Sequence, residues 1–178
     1  MTPVPKPPIH PPVRPLRPVD PVLAFGSNLG DREANIREGI AALARHGVTV
    51  IAVSTLIESV AVKPDGEDES APRYLNGVAL VQTALPPRAL LYTVQAVESE
   101  LGRVRAERWG DRTLDIDIVA YGDLELATDD LVLPHPRAAE RFFVLAPWLE
   151  VDPRAVLPGA GPIARLLEAL PNQAGAAR

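Results

Sequence analysis

The sequence predicts an α+β fold, and three observations carry that prediction. Its 178 residues suit one domain with a core of its own. Short apolar or β-branched runs alternate with two segments of helical periodicity, in the order β-α-β-β-α-β. Between Thr113 and Tyr121 the residues alternate strictly. Leu114, Ile116, Ile118 and Ala120 fall on one side, and Thr113, Asp115, Asp117, Val119 and Tyr121 on the other. That is the period of a strand, so both aspartates share a face. The element order is the split βαβ arrangement of ferredoxin-like folds. It predicts an antiparallel-rich sheet with helices packed on one face. Phe25 and the two aspartates would lie on central strands.

Each element has a local reason. Nine of the twenty prolines lie in residues 1–21, where missing amide donors and fixed φ exclude helix and inner strand. Residues 1–20 therefore read as a proline-rich disordered tail or linker, and 21–173 as the folded domain. Val22–Phe25 is a short apolar strand ending at Gly26. A turn cluster follows, with Asp31 placed to cap a helix whose apolar positions are Ile36, Ile40 and Leu43. Val48–Ile57 reads as one strand, 59–73 as a solvated acid-rich loop, and Tyr74–Gln82 as another strand. Pro86-Pro87 opens a helix with Leu90, Val94, Val97 and Leu101 as its stripe, and Gly102 stands just past its end. After the aspartate strand, Gly122-Asp123 suggests a hairpin to Leu124–Leu126. Residues 136–150 look helical in part, and Ile163, Leu166, Leu167 and Leu170 mark a last short helix.

Composition excludes several classes. No cysteine is present, so neither a disulfide scaffold nor a thiolate metal site is available. A net charge of -5 argues against non-specific nucleic-acid binding. No apolar run approaches the roughly 20 residues of a membrane helix, and the proline-rich start lacks the apolar segment of a signal peptide. The expectation is a cytoplasmic protein that binds neither nucleic acid nor membrane. The phosphate-loop pattern, the dinucleotide fingerprint and the nucleophile-elbow motif are all absent.

Two ionised carboxylates on one strand face repel each other and need a cation, a shared proton or open water. Arg103, Arg105, Arg108 and Arg112 crowd the stretch before the strand, with Trp109 among them. Sixteen of the eighteen basic residues are arginine, so only this clustering carries weight. Arginine forks match phosphate oxygens, and paired carboxylates suit Mg²⁺, which takes a few carboxylates plus substrate phosphates. Together they form the apparatus of phosphoryl transfer. The plainer reading pairs the arginines with Glu98, Glu100, Glu107 and the aspartates on a solvated surface. A Mg²⁺-dependent nucleotidyl or phosphohydrolase enzyme and a non-catalytic binding domain also stand beside it.

"AFGSNLGDREANI", "YLNGVAL", "GRVRAERWGDRTLDIDI" and "LPHPRAAERFFVLAPWLEVDP" occur in that order over about 22–158. The set resembles the 6-hydroxymethyl-7,8-dihydropterin pyrophosphokinase family of folate biosynthesis. The resemblance implies a ferredoxin-like α+β fold and transfer of diphosphate from ATP to the pterin hydroxymethyl group, releasing AMP, with two Mg²⁺ ions. It implies Asp115 and Asp117 as metal ligands, and Arg103 and Arg112 as catalytic arginines. Gln95, Glu98, Arg105, His135 and Arg141 would surround ATP, with Glu98 accepting from a ribose hydroxyl. Tyr74 and Phe143 would stack on the pterin, Asn76 would bond its amide edge, and Trp109 would lie near both substrates.

The sequence departs from the family pattern in places. Ser59-Val60-Ala61-Val62-Lys63 stands where T-x-P-x-G is usual, and Asp111 replaces the proline of R-W-G-P-R. Asp130 stands where a basic ATP contact sometimes occurs. The proline-rich segment has no counterpart; it reads as a leader or as the remnant of a fusion, which would go with association with other folate-pathway enzymes.

Overall fold

The computed structural model describes residues 19–63, 66–102 and 113–171. In chain order the elements are β1 (Pro21–Ser27), α1 (Arg32–Arg45), β2 (Thr49–Val53), β3 (Ile57–Ser59), β4 (Ala61–Lys63), β5 (Gly66–Asp68), β6 (Tyr74–Gln82), α2 (Pro87–Glu100), β7 (Asp115–Tyr121), β8 (Leu126–Ala127), β9 (Val132–Leu133), a 3₁₀ turn (Ala138–Glu140), α3 (Phe142–Val151), β10 (Val156–Leu157), β11 (Gly161–Pro162) and α4 (Ile163–Ala169). The main sheet runs β2-β6-β1-β7, with β3 also on β6, and its pairings are antiparallel. This is the ferredoxin-like α+β fold.

Helix boundaries follow the expected local chemistry. Asp31 caps α1, its carboxylate accepting from Ala34 N at 3.0 Å. Proline stands in the first turn of α2, where a missing amide costs nothing. Past the end of α2, Gly102 takes φ +85°, a conformation that favours glycine.

Alternation along the strands splits the core in two. Leu23 and Phe25 of β1, Ala79 and Val81 of β6, and Ile116 and Ile118 of β7 pack under α1 and α2, against Ile36, Leu43, Leu90, Val94 and Val97. Val22, Val78, Val119 and Ala120 face the other way, onto Val144, Leu145 and Trp148 of α3 and Ile163 of α4. Helices therefore cover both faces, not one. The element order concerns only the first two helices; α3 and α4 add a second layer over an apolar face that would otherwise be wet.

Other expectations change in detail. β7 is an edge strand, since only β1 and β6 lie between neighbours. The 48–57 run breaks at Ser54–Leu56, because Ser54 Oγ accepts from Val78 N at 3.0 Å and Thr55 is held by Glu150 through its N at 2.9 Å and its Oγ1 at 2.7 Å. The 59–73 stretch contains the β4–β5 pairing instead of an unstructured loop. β8 pairs with β9 and not with the aspartate strand. Val19 and Asp20 join the sheet: Val19 exchanges two backbone hydrogen bonds with Thr83 at 3.1 Å, and Asp20 accepts from Gln82 Nε2 at 3.1 Å. The proline-rich remainder, residues 1–18, lies outside the described residues.

Leu145 is fully buried (0% exposed) at the centre of the second layer. Leu145→Ala should therefore lower stability by about 2–5 kcal/mol, the range for a large-to-small change in a packed core. Urea denaturation followed by circular dichroism measures it, and a loss below about 1 kcal/mol would mean that α3 contributes little to the fold.

Candidate functional site

Register brings the predicted residues into rows across the sheet. Asn76 on β6 stands opposite Gly26 on β1, and Gly26 stands opposite Asp115 on β7. In the next row Val78, Ala24 and Asp117 are opposed. Opposed residues share a face, so Asn76 and both aspartates point to the side of α3. Ile116, between the aspartates, is buried against the first helix layer. Gly26 and Ala24 leave the lane between Asn76 and the aspartates floored largely by backbone. A Cβ built on Gly26 would sit 3.5 Å from Asn76 Oδ1 and 3.5 Å from Tyr74 Cδ1, so Tyr74 borders the same space.

Asn76 is only 5% exposed. Its Nδ2 donates to Ser59 Oγ at 2.9 Å and to Ile57 O at 3.3 Å, which turns the amide oxygen toward the lane over Gly26. β3 thereby orients the one amide side chain of the lane as an acceptor.

The aspartate strand is held from its outer edge. Glu98 on α2 is 2% exposed and its Oε1 accepts from Ile116 N at 2.8 Å. Farther along, His135 N donates to Val119 O at 2.8 Å. The Glu98 carboxylate lies in the core, with Oε1 bonded to the backbone between the two aspartates. Gln95, one turn earlier, is half-buried on the same helix.

Asp117 is the centre of a charged group. Its Oδ2 accepts from Arg141 Nη1 at 3.0 Å, and His135 Nε2 lies 3.7 Å from the same oxygen. Arg141 caps α3 just before Phe143, and its guanidinium carbon stands 5.7 Å from the centre of that ring. His135 Nδ1 accepts from Arg137 N at 3.1 Å, so the neutral ring carries its proton on Nε2, toward Asp117. Burial holds the His135 pKa below its usual 6.5; the Asp117 charge pulls up, Arg141 and Arg137 pull down, and Asp115 pulls up more weakly.

Among the described residues, no group of three or more His, Asp or Glu side chains forms a closed metal cage. The donor set is two carboxylates on one strand beside a lane with almost no side chains. It suits a hard cation that completes its shell with water and ligand phosphates, Mg²⁺ above all. Asp130 is engaged with Arg88 Nη2 and Thr128 Oγ1, each at 2.9 Å, and these bonds hold its pKa below the usual carboxylate range. Arg103, Arg105, Trp109 and Arg112 lie outside the described residues.

The structure brings together Asp115, Asp117, His135, Arg141 and Phe143 at one end of the sheet, with Tyr74 and Asn76 across the lane. Sequence reasoning missed the lane itself. Its signal was the alternation of small residues in "AFGSN", Ala24 and then Gly26, on the face that the aspartates share.

A family model described as 7,8-dihydro-6-hydroxymethylpterin-pyrophosphokinase matches residues 22–153. The chain is 44% identical over 130 residues to the 2-amino-4-hydroxy-6-hydroxymethyldihydropteridine pyrophosphokinase of Bacillus subtilis, covering 72% of this chain and 75% of that one. It is 38% identical to the mitochondrial folate synthesis bifunctional protein of Arabidopsis thaliana over 76% of this chain, which spans only 24% of that relative. A crystal structure of wild-type Plasmodium falciparum HPPK-DHPS aligns with a TM-score of 0.62 at 14% identity, over 85% of this chain and 44% of that one, a likeness of fold.

Glu98→Ala should lower stability by at least about 1–3 kcal/mol, because the buried Ile116 amide loses its acceptor. Glu98→Gln, whose amide oxygen still accepts, should recover the larger part; equal losses in urea denaturation would mean that the Ile116 bond is not what Glu98 contributes. For His135 the folded pKa lies below the unfolded one, so as pH falls the unfolded chain takes up the proton first. Stability should therefore decline as pH drops below about 6.5, with no such loss above it. An NMR titration of the ring should show a midpoint below 6.5, moving lower still in Asp117→Asn.

Proposed function

The chain belongs to the 7,8-dihydro-6-hydroxymethylpterin-pyrophosphokinase family, and on that premise we propose how its residues carry the reaction. It is an ATP-dependent diphosphotransferase. It transfers the diphosphate of ATP to 6-hydroxymethyl-7,8-dihydropterin, giving the pterin diphosphate and AMP in folate biosynthesis. The hydroxymethyl oxygen forms a bond to the β-phosphorus while the bond between that phosphorus and the oxygen of the leaving AMP breaks. The hydroxyl proton is released to solvent.

Asp115 and Asp117 hold the metal, two Mg²⁺ ions in this reading. The observation that carries it is their shared face across from Gly26 and Ala24. A Mg²⁺ ion held there would neutralise part of the phosphate charge. His135 donates its Nε2 proton to a phosphate oxygen, and Arg141 supplies a guanidinium fork to the triphosphate. Gln95, Arg105 and Trp109 complete the nucleotide contacts. Glu98 keeps the strand in register.

The pterin lies in the lane over Gly26. Asn76 Oδ1 accepts from the donors on its amide edge, and the Tyr74 and Phe143 rings stack on it, with Trp109 alongside. Arg103 and Arg112 act on the oxygens of the reacting phosphate. An arginine whose bond strengthens as charge develops raises kcat more than it lowers KM.

Among the described residues, no helix is long and apolar enough to cross a membrane. We place the enzyme in the cytoplasm. Fusions such as the Arabidopsis bifunctional protein support association with other folate-pathway enzymes as its setting.

Asp115→Asn and Asp117→Asn should each lose at least about a hundredfold in kcat, the scale of several kcal/mol of metal charge stabilisation, while the thermal melt persists. Phosphorus NMR of a mixture of protein, ATP, Mg²⁺ and the reduced pterin should show AMP and a pterin diphosphate with wild-type protein alone. Release of free diphosphate or phosphate instead would identify a hydrolase, and near-normal turnover in both variants would remove the aspartates from the metal site.

A further inference from the structure

We infer that Arg141 is the resident counter-cation of Asp117 in the metal-free protein, and that it is exchanged for metal only when nucleotide arrives with it. The inference rests on the reading of Asp117 as a metal ligand and adds to it what the ligand does beforehand.

Two carboxylates two residues apart on one strand face need a compensating charge. Arg141 Nη1 supplies it 3.0 Å from Asp117 Oδ2. The pair is not a loose surface contact. The Arg141 side chain is only 21% exposed, and its guanidinium also lies over the Phe143 ring at 5.7 Å. The backbone of Arg141 is anchored as well: its N donates to Ala138 O at 3.3 Å, and its O accepts from Val144 N and Leu145 N at 3.0 Å each. The side chain moves on a fixed base.

A divalent cation approaching Asp117 alone meets a guanidinium already on one of its two oxygens. It must displace that cation, repel it at close range, and leave it without an anionic partner. Its affinity is reduced by the fraction of Asp117 held by Arg141. A metal bound to a polyphosphate meets a different balance. The phosphate oxygens offer the displaced guanidinium a bidentate partner better matched to its fork than one carboxylate oxygen. The same arginine then opposes the metal alone and favours the metal–nucleotide complex. Metal and nucleotide are positively coupled through it, and the coupling is reciprocal by linkage. Asp117 thus stays compensated in both states.

The test measures Mn²⁺ binding to the full chain by electron paramagnetic resonance, without nucleotide and then with ATP, in the absence of pterin. Arg141→Gln should bind Mn²⁺ alone about fivefold more tightly than wild type, the upper range for competition by a partly exposed ion pair. It should bind the Mn²⁺–ATP complex more weakly, so the coupling between metal and nucleotide falls. Arg141→Lys, which keeps the charge, should leave the affinity for Mn²⁺ alone near wild type. Arg141→Met replaces the glutamine variant if that one does not fold. Asp117→Asn should weaken Mn²⁺ binding in the wild-type and the Arg141→Gln backgrounds alike. If Asp117→Asn weakens Mn²⁺ binding but Arg141→Gln leaves it unchanged or weaker, the exchange is wrong and the metal reading stands. If Asp117→Asn changes nothing in either background, Asp117 is not a metal ligand and both fall.

Discussion

The site depends on one buried bond, the carboxylate of Glu98 accepting from the amide of Ile116. Among the described residues β7 is an edge strand, and its outward amides have no neighbouring strand to pair with. A buried amide without a partner is costly, and water would be the usual remedy at an edge. Here α2 packs over the edge and supplies an anion from its last turn. The bond lands on the residue between the two aspartates, fixing the peptide that sets the facing of both. A carboxylate is a stronger acceptor than a neutral oxygen, and burial strengthens the bond further. The helix that closes the first core layer is therefore also the clamp of the functional strand on the opposite face.

That arrangement separates two jobs the strand must do. Ile116 and Ile118 secure it to the first helix layer, while Asp115 and Asp117 face the side of α3. The packed side is insulated from whatever binds on the other. The groups around them come from outside the strand: Arg141 and Phe143 from the start of α3, His135 from the turn before the 3₁₀ segment, Asn76 and Tyr74 from β6 across the sheet. His135 belongs to both classes, since its amide holds Val119 and its ring faces Asp117. The ring is half-buried, and in its neutral form it presents an N–H toward Asp117 without adding charge to a crowded group.

Most of the fold was legible because it rests on periodicity. The alternation in 113–121 identified the strand and the common facing of its carboxylates, and Asp31, Pro86-Pro87 and Gly102 marked helix ends by local chemistry. Three features were not legible. The edge position of β7 depends on strand order, which no local pattern encodes. The break at Ser54–Leu56 needs Glu150, about a hundred residues away in sequence, to hold Thr55. The second helix layer follows from the apolar surface of Val22, Val78 and Val119, which reads the same whether helices or a partner cover it. At the site, residue types were visible and pairings were not: nothing local in the sequence announces the bond of Glu98 to the Ile116 amide, and the contact of Arg141 with Asp117 is long-range. The arginines of 103–112 remain readable from sequence alone.

The far edge of the sheet is managed by other means. β2 carries exposed Ile51, at 58%, and exposed Val53, a row of apolar β-branched side chains on a strand with one open side. Left straight, it would template pairing between chains. Its register slips against β6 between Val50 and Ala52, and the strand then stops at Ser54 and gives way to β3. A bulge of this kind twists an edge away from any straight partner. One edge is clamped by a helix and the other is bent out of true, so the sheet has no straight side on which to grow. The Arabidopsis relative is a bifunctional protein, of which this chain spans only 24%. A sheet closed to its own kind remains a discrete folding unit beside whatever it is joined to.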